Sequence, residues 1–427
     1  MQYKKKVLRN GMRVVVVPMK DTNTVTVLTL VEAGSKYETK DKNGISHFLE
    51  HMCFKGTKKR PTSMHVNQEL DGLGAQSNAF TTEEFTGYYA KAESKHLNQI
   101  VDIISDMYLN PTFPEAEMEK EKGVIIQEIN MYEDLPQTLV GWLFMELLYG
   151  DQPAGWGIAG PKENISKMKR GDFVEYRSKH YVASATTLVV AGKCSPEQVF
   201  KSAEKYFKEI SKGKKSPKKK VVESQKEPKI LVKQKETDQT HMVLGFRAYD
   251  AFDKRTRALS VLSGVLGAGM SSRLFNKLRE EMGVCYYVRS SADTYTDHGF
   301  FSISTGVDNK RIVEVVKVLL EECQKLTVEL VSDAELKKTK DFMTGHLYLG
   351  LETSDSLAEF NGIQEIIKRK IKTPDEIKKE IEGVTAKDIQ KVARDIFKNE
   401  GLNLAVIGNI KDQKELVDTL KLLSVKK

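Results

Sequence analysis

The densest grouping of chemically capable side chains is Gly44–His51, GISHFLEH, which holds His47, Glu50 and His51. Residues four apart share one face of a helix, so the two imidazoles can reach a single ion. Glu50 follows His47 by three positions, which sets a carboxylate beside the ion, where it can take a proton from metal-bound water. Phe48 and Leu49 point away and pack the helix into a core. With 8 histidines in 427 residues, HxxEH arises by chance in about one such chain per hundred. A third ligand therefore carries weight.

A hydrolytic zinc takes three protein ligands and keeps one position open. His65, His96 and His180 lie in unremarkable contexts. Carboxylates are dense in Pro114–Tyr132, PEAEMEKEKGVIIQEINMY, where Glu121 and Glu128 stand two helical turns apart on one face. Val124, Ile125, Ile126 and Ile129 predict a helix largely buried around Glu128, and a buried carboxylate needs a partner such as a metal. Glu115, Glu117, Glu119 and Glu133 read as solvated charges.

These residues need elements to hold them. β-branched runs predict a hairpin of strands at Arg13–Pro18 and Thr24–Ala33. Helices follow at about Ile45–Phe54 and Ser63–Leu73, then strands near Ala75–Thr81 and Phe85–Lys91. Helices then fill Lys95–Leu109, Pro114–Tyr132 and Thr138–Leu148. The chain also repeats itself. Asp172 opens a helical run that leads to LVVAG, ending at Gly192, and Asp388 opens another that leads to LAVIG, ending at Gly408. In each half a pair of strands precedes a long amphipathic helix, Ala75–Tyr89 before His96–Tyr108 and Val284–Val307 before Lys310–Leu326. Two copies of one α+β unit explain this. The boundaries expected are 1–211, a lysine-rich linker 212–229 (KGKKSPKKKVVESQKEPK), and 230–427.

Bulk properties exclude several classes. The net charge is +8, and the linker's eight lysines and two glutamates account for +6 of it. The basicity thus belongs to one solvated segment without interleaved aromatics or arginines, which argues against nucleic acid. No run of eighteen apolar residues suggests a membrane span. The basic start of the chain runs straight into the β-branched MRVVVVP, read as a strand and not a signal peptide, so a cytoplasmic location is expected. Cys53, Cys194, Cys285 and Cys323 form no CxxC pair, which predicts reduced and mostly buried thiols.

The stretch GISHFLEHMCFKGTKKRP, Gly44–Pro61, resembles the pitrilysin family of inverted-motif zinc peptidases, in the branch of mitochondrial processing peptidase and its bacterial relatives. The resemblance covers essentially the whole chain. It implies one zinc per chain, held by His47, His51 and Glu128, with Glu50 as general base and Glu121 as an accessory catalytic glutamate. SNAFT, Ser77–Thr81, with EFTGYY, Glu84–Tyr89, resembles the family's edge strand. An extended substrate would add there through its backbone at Asn78, Ala79 and Phe80, Asn78 donating to the scissile carbonyl. GAGMSSRLF and REEMGVCY resemble the distal substrate-binding pair, here Arg279 and Tyr286. No GK[ST] follows Gly269, so this is no phosphate loop. The loop is also too short to match the glycine-rich loop of the non-catalytic processing subunit.

The fold so implied is two homologous α+β domains, each a mainly antiparallel sheet with helices on one face, and two chains paired, as homodimer or heterodimer, into a clamshell. The second copy lacks HxxEH and reads as an inactive domain. The function expected is a metalloendopeptidase acting on short unfolded peptides in an enclosed chamber. The rival is a non-catalytic core or partner subunit of a peptidase-like complex, which the completeness of the five-residue site disfavours.

Overall fold

The computed structural model describes residues 2–410 and 413–420. Within them the chain forms two compact units, each built on its own sheet. In unit 1 the strands are β1 (Lys4–Val7), β2 (Arg13–Pro18), β3 (Thr24–Val31), β4 (Gln76–Thr81), β5 (Thr86–Glu93) and β6 (Thr186–Gly192), in the order β1-β2-β6-β3-β5-β4. In unit 2 they are β7 (Lys229–Gln234), β8 (Thr240–Ala248), β9 (Cys285–Thr294), β10 (Gly299–Val307) and β11 (Leu402–Gly408), in the order β7-β11-β8-β10-β9. The repeat is therefore topological. One parallel pair, β2 with β6 and β7 with β11, is followed in each sheet by antiparallel neighbours.

The predicted hairpin of β2 and β3 does not form. β6, some 170 residues later, enters between them and pairs with both. The β-branched runs RVVVVP and TVTVLTLV mark strands but say nothing about the neighbour. The glycines that end the two repeat strands have a steric reason. A Cβ on Gly192 would stand 2.3 Å from the Thr24 carbonyl oxygen, and one on Gly408 would stand 2.6 Å from Thr240 Oγ1. Asp172 and Asp388 each accept from the backbone N–H that opens their helices, at 2.8 and 2.9 Å.

Both faces of each sheet are covered, which corrects the expectation of helices on one face. In unit 1, Val14, Val16, Val25, Val27 and Val190 face a core shared with α1 (Ile45–Cys53) and α2 (Leu97–Leu109). Val15, Val17, Leu28, Leu30, Val189 and Ala191 face the other way. With α3 (Glu115–Asp134), α4 (Pro136–Tyr149), α5 (Thr256–Gly267) and α6 (Ile312–Val328) following in sequence, it is α7 (Ser354–Lys368) that covers this second face, through Leu357, Ala358 and Ile366. In unit 2, α5 and α6 share the main core, while α4 brings Leu139, Val140, Leu143 and Phe144 onto Val243, Phe300, Ala405 and Ile407. Strands such as VVVV and LVVA are apolar at every position, the pattern of a sheet buried on both sides.

The units consequently depart from contiguous halves. Unit 1 is the chain up to Ile129 with Trp156–Lys219 and Tyr348–Thr373, and unit 2 takes Asn130–Gly155, Lys220–Leu347 and the chain from Pro374 onward. The linker is also less purely solvated than its composition suggests. Lys215 pairs with the buried Glu32, and Lys218 Nζ lies 3.1 Å from the buried Glu84. The four thiols are free, and three of them are buried.

α7 is fastened by charge as well as by apolar packing. Glu365 is fully buried; Lys5 Nζ lies 2.6 Å and Arg13 Nε 3.4 Å from its Oε1, while neither carboxylate oxygen has a well-directed hydrogen bond. Proximity of opposite charges, not hydrogen-bond geometry, holds this carboxylate. Losing the carboxylate would leave Arg13 still paired with Glu32 and bonded to Thr187 and Ser184, and Lys5 in reach of water. Glu365→Gln is therefore expected to lower the unfolding free energy of the full chain by about 1–2 kcal/mol, read as an earlier urea midpoint with an unchanged m value.

Candidate metal centre

α1 carries the motif, and its start is built by sequence outside it. Gly44 has φ +101°, and a Cβ there would meet the Ala159 carbonyl oxygen at 2.5 Å. The free amides of the first turn are taken by the buried Glu38: Gly44 N–H donates to Oε2 at 2.8 Å and Ser46 N–H to Oε1 at 2.7 Å, with Asn43 Nδ2 also donating to Oε2. Burial pushes the Glu38 carboxyl up to about 7, against those hydrogen bonds, which favour its charged form. Phe48, Leu49 and Met52 enter the core, Phe48 edge-on to Phe173 at 4.8 Å. The opposite face presents the histidines.

The imidazoles meet through Nε2, 3.2 Å apart, and Glu128 Oε2 lies 3.6 Å from each. Four ligands at about 2.0–2.1 Å around a tetrahedral zinc stand about 3.3–3.4 Å from one another. The three donor atoms therefore have the spacing such an ion imposes, and the residues fit zinc. Within the described residues His47, His51 and Glu128 are the one group that could hold a metal in this way.

The supporting residues differ from the sequence expectation in one respect. On α3 the buried positions are Met118, Glu121, Ile125 and Ile129, whereas Val124 is exposed and Glu128 is half-buried. The deeply buried carboxylate is Glu121, and its partners are protein groups. His51 Nδ1 lies 2.9 Å and Lys55 Nζ 2.6 Å from it. A donating Nδ1–H leaves the Nε2 lone pair of His51 for an ion. Burial works against charge on Glu121, but His51 and Lys55 outweigh it and hold its carboxyl below the usual range. Burial likewise opposes protonation of His51, yet Glu121, Glu50 and Glu128 together raise its pKa. Burial, with His51 adding, lowers His47 to about 4.

Glu50 is buried beside this group, and Thr81 Oγ1 donates to its Oε2 at 2.7 Å. Burial raises its pKa, opposed by Thr81 and His51. β4, which carries Thr81, is the edge strand of its sheet. Asn78 is exposed there, its Oδ1 accepting from the Ala79 amide at 2.9 Å. Ala79 packs toward the first core, while the Phe80 ring lies on the other face against Phe85 and Gly87. Phe80 thus offers this edge only its backbone. In unit 2, Arg279 stacks 4.7 Å over the Tyr286 ring and donates to the Tyr286 carbonyl, and Tyr286 is 73% exposed at the start of edge strand β9. Sequence reasoning missed Glu38, Lys55 and Thr81. Only Lys55, one turn beyond His51, had a spacing that pointed to it.

Two outcomes are expected. Glu128→Ala should remove most of the zinc from purified protein, while Glu117→Ala, whose carboxylate pairs with Lys120 on the surface, should keep it; Glu121→Gln should weaken zinc about 10- to 100-fold through His51. Second, the carboxylates around His51 favour its protonated form, which zinc must displace. Zinc affinity, measured by chelator competition, should therefore fall as the pH is lowered through the range in which His51 protonates.

Comparisons with known proteins place the whole chain. Residues 13–162 match the family model described as insulinase, peptidase family M16, and residues 167–343 match that of the peptidase M16 inactive domain. An uncharacterised zinc protease of Bacillus subtilis is 35% identical over 93% of this chain and 96% of its own length. One of Rickettsia bellii is 33% identical over 94% and 96%. Among solved structures, a protease from Helicobacter pylori superposes with a TM-score of 0.88 at 23% identity, covering 95% of this chain and 99% of that one. A Pseudomonas fluorescens structure described as a peptidase M16 inactive domain gives 0.89 at 16% identity, covering 97% and 100%. With the two-sheet α+β architecture, relatives matched over nearly their whole length and the two family models matched in order over residues 13–162 and 167–343, this chain belongs to peptidase family M16, the pitrilysin family.

Proposed function

We propose that this chain is a zinc metalloendopeptidase that hydrolyses extended, unfolded peptides. The observation that carries this is the coincidence of three donor atoms at tetrahedral spacing with a buried, separately oriented carboxylate next to them. When bound, zinc supplies a Lewis acid that acidifies water and polarises a carbonyl. The protein's part follows from its residues. Glu50 accepts a proton from the attacking water and returns it to the nitrogen of the breaking C–N bond, so that one water is consumed and an acid and an amine are left. Glu121 keeps His51 in the tautomer that presents Nε2. β4 offers unpaired backbone groups along an edge, where a peptide can add as a strand with little regard to its sequence. Asn78 is poised on that edge to donate to the carbonyl as it gains charge. Arg279 and Tyr286, which lie within the residues 167–343 matched by the inactive-domain model, hold substrate backbone, and unit 2, which lacks HxxEH, supplies binding and not a second metal. Pairing with a second copy or a sister chain belongs to the same reading.

Completeness of the site counts against the non-catalytic alternative: His47, Glu50, His51, Glu121 and Glu128 are all present and in contact range of their partners. The test is a quenched peptide mixture with zinc quantified. Wild-type protein should hold one zinc per chain and cleave, and a chelator should abolish cleavage. Glu50→Gln should keep its zinc while turnover drops by about 10² or more. Stoichiometric zinc without cleavage of any peptide would establish the non-catalytic reading instead.

A further inference from the structure

We infer that Thr81 is a positioning residue of the hydrolytic site, its hydroxyl fixing the carboxylate of Glu50 and joining the edge strand to the group that moves the proton. The inference rests on the peptidase reading above. The Glu50 side chain is buried, and its bond from Thr81 Oγ1, at 2.7 Å, is the one hydrogen bond it makes among the described residues. A carboxylate next to a metal position either ligates or accepts protons. Glu50 is outside the group of His47, His51 and Glu128, and a donor on Oε2 opposes its swing toward them while Oε1 stays available for a proton.

The donor is itself held from several sides. Thr81 is the last residue of β4 and pairs with Thr86 across the hairpin. Its branched side chain has few rotamers to choose from. The turn that follows is closed by Thr82 N–H to the Phe85 carbonyl at 2.9 Å and docks on the segment leading to α1: Ser35 and Lys36 N–H donate to the Thr82 and Glu83 carbonyls. Gly34 makes room for this, since a Cβ there would come within 2.2 Å of the Thr82 oxygen. The buried Glu84 of the turn lies 3.0 Å from Lys36 Nζ and 3.1 Å from Lys218 Nζ. So ordered a hydroxyl, aimed at so isolated a carboxylate, sits on the strand where the peptide would pair.

Thr81→Val keeps shape and branching and removes only the donor. In the zinc-loaded full chain it should lower kcat about 10- to 100-fold, the scale for groups that orient a metal site, with KM and one zinc per chain unchanged; Thr81→Ser should restore kcat to within a few-fold. A second readout does not need turnover. In cobalt-substituted protein, Thr81→Val should change the visible absorption of the metal when Glu50 is present and leave it unchanged in a Glu50→Gln background. Wild-type kcat in Thr81→Val, an unchanged cobalt spectrum, or an equal spectral change without Glu50 would each overturn the assignment. If wild-type protein holds zinc and cleaves nothing, the peptidase reading falls, and the cobalt comparison alone decides Thr81.

Discussion

The buried carboxylate of Glu38 at the head of α1 is the constraint on which the site depends. A helix that begins one residue early or late turns every side chain by about 100°, and His47, Glu50 and His51 would then face elsewhere. Glu38 fixes that beginning by taking the first-turn amides of Gly44 and Ser46, while Gly44 permits the backbone bend that aims them. The same short stretch, residues 34–38, seats the turn between β4 and β5. One loop therefore serves as the reference for both the histidine-bearing helix and the edge strand, and small displacements of it would move them together.

Apart from Glu38, held by amides, and Glu50, held by the Thr81 hydroxyl, unit 1 sets cations against several of the carboxylates it buries. Glu32 meets Arg13, Lys215 and Arg369; Glu84 meets Lys36 and Lys218; Glu121 meets Lys55; Glu365 meets Lys5 and Arg13. Burying such charges costs several kcal/mol unless they are paired, so these contacts act as registration marks more than as sources of stability. They also explain part of the lysine-rich segment. Two of its lysines neutralise buried acids of unit 1, a role its polar, proline-containing composition conceals.

Much of the architecture was legible because its signals are local. The helices of Gly44–His51 and Pro114–Tyr132, the strands of SNAFT and EFTGYY and the repeat ending at Gly192 and Gly408 all lie where spacing and turn residues place them. The histidine pair followed from helical periodicity alone. What could not be read is non-local. Nothing in TVTVLTLV says that β6 will separate it from β2, and nothing in SDSLAEFNGIQEIIK says that it will lie on a sheet whose last strand in the chain ends as far back as Gly192. The degree of burial of Glu128 was misjudged for a related reason: apolar neighbours at 124–126 wrap around a helix, and only the packing partner determines which of them is covered.

The traded helices, α4 on the second sheet and α7 on the first, also set an order of events during synthesis. When a ribosome has released the whole of the first sheet, the face of Val15, Val17, Leu28 and Leu30 is still bare, because its cover lies at Tyr348–Thr373. Exposed apolar strands of that kind invite wrong partners. The nascent chain must live with this liability for well over a hundred residues of further elongation. A chain severed at the lysine segment would leave both fragments with an apolar sheet face unroofed, so the internal duplication visible in the topology no longer corresponds to two pieces that can part company.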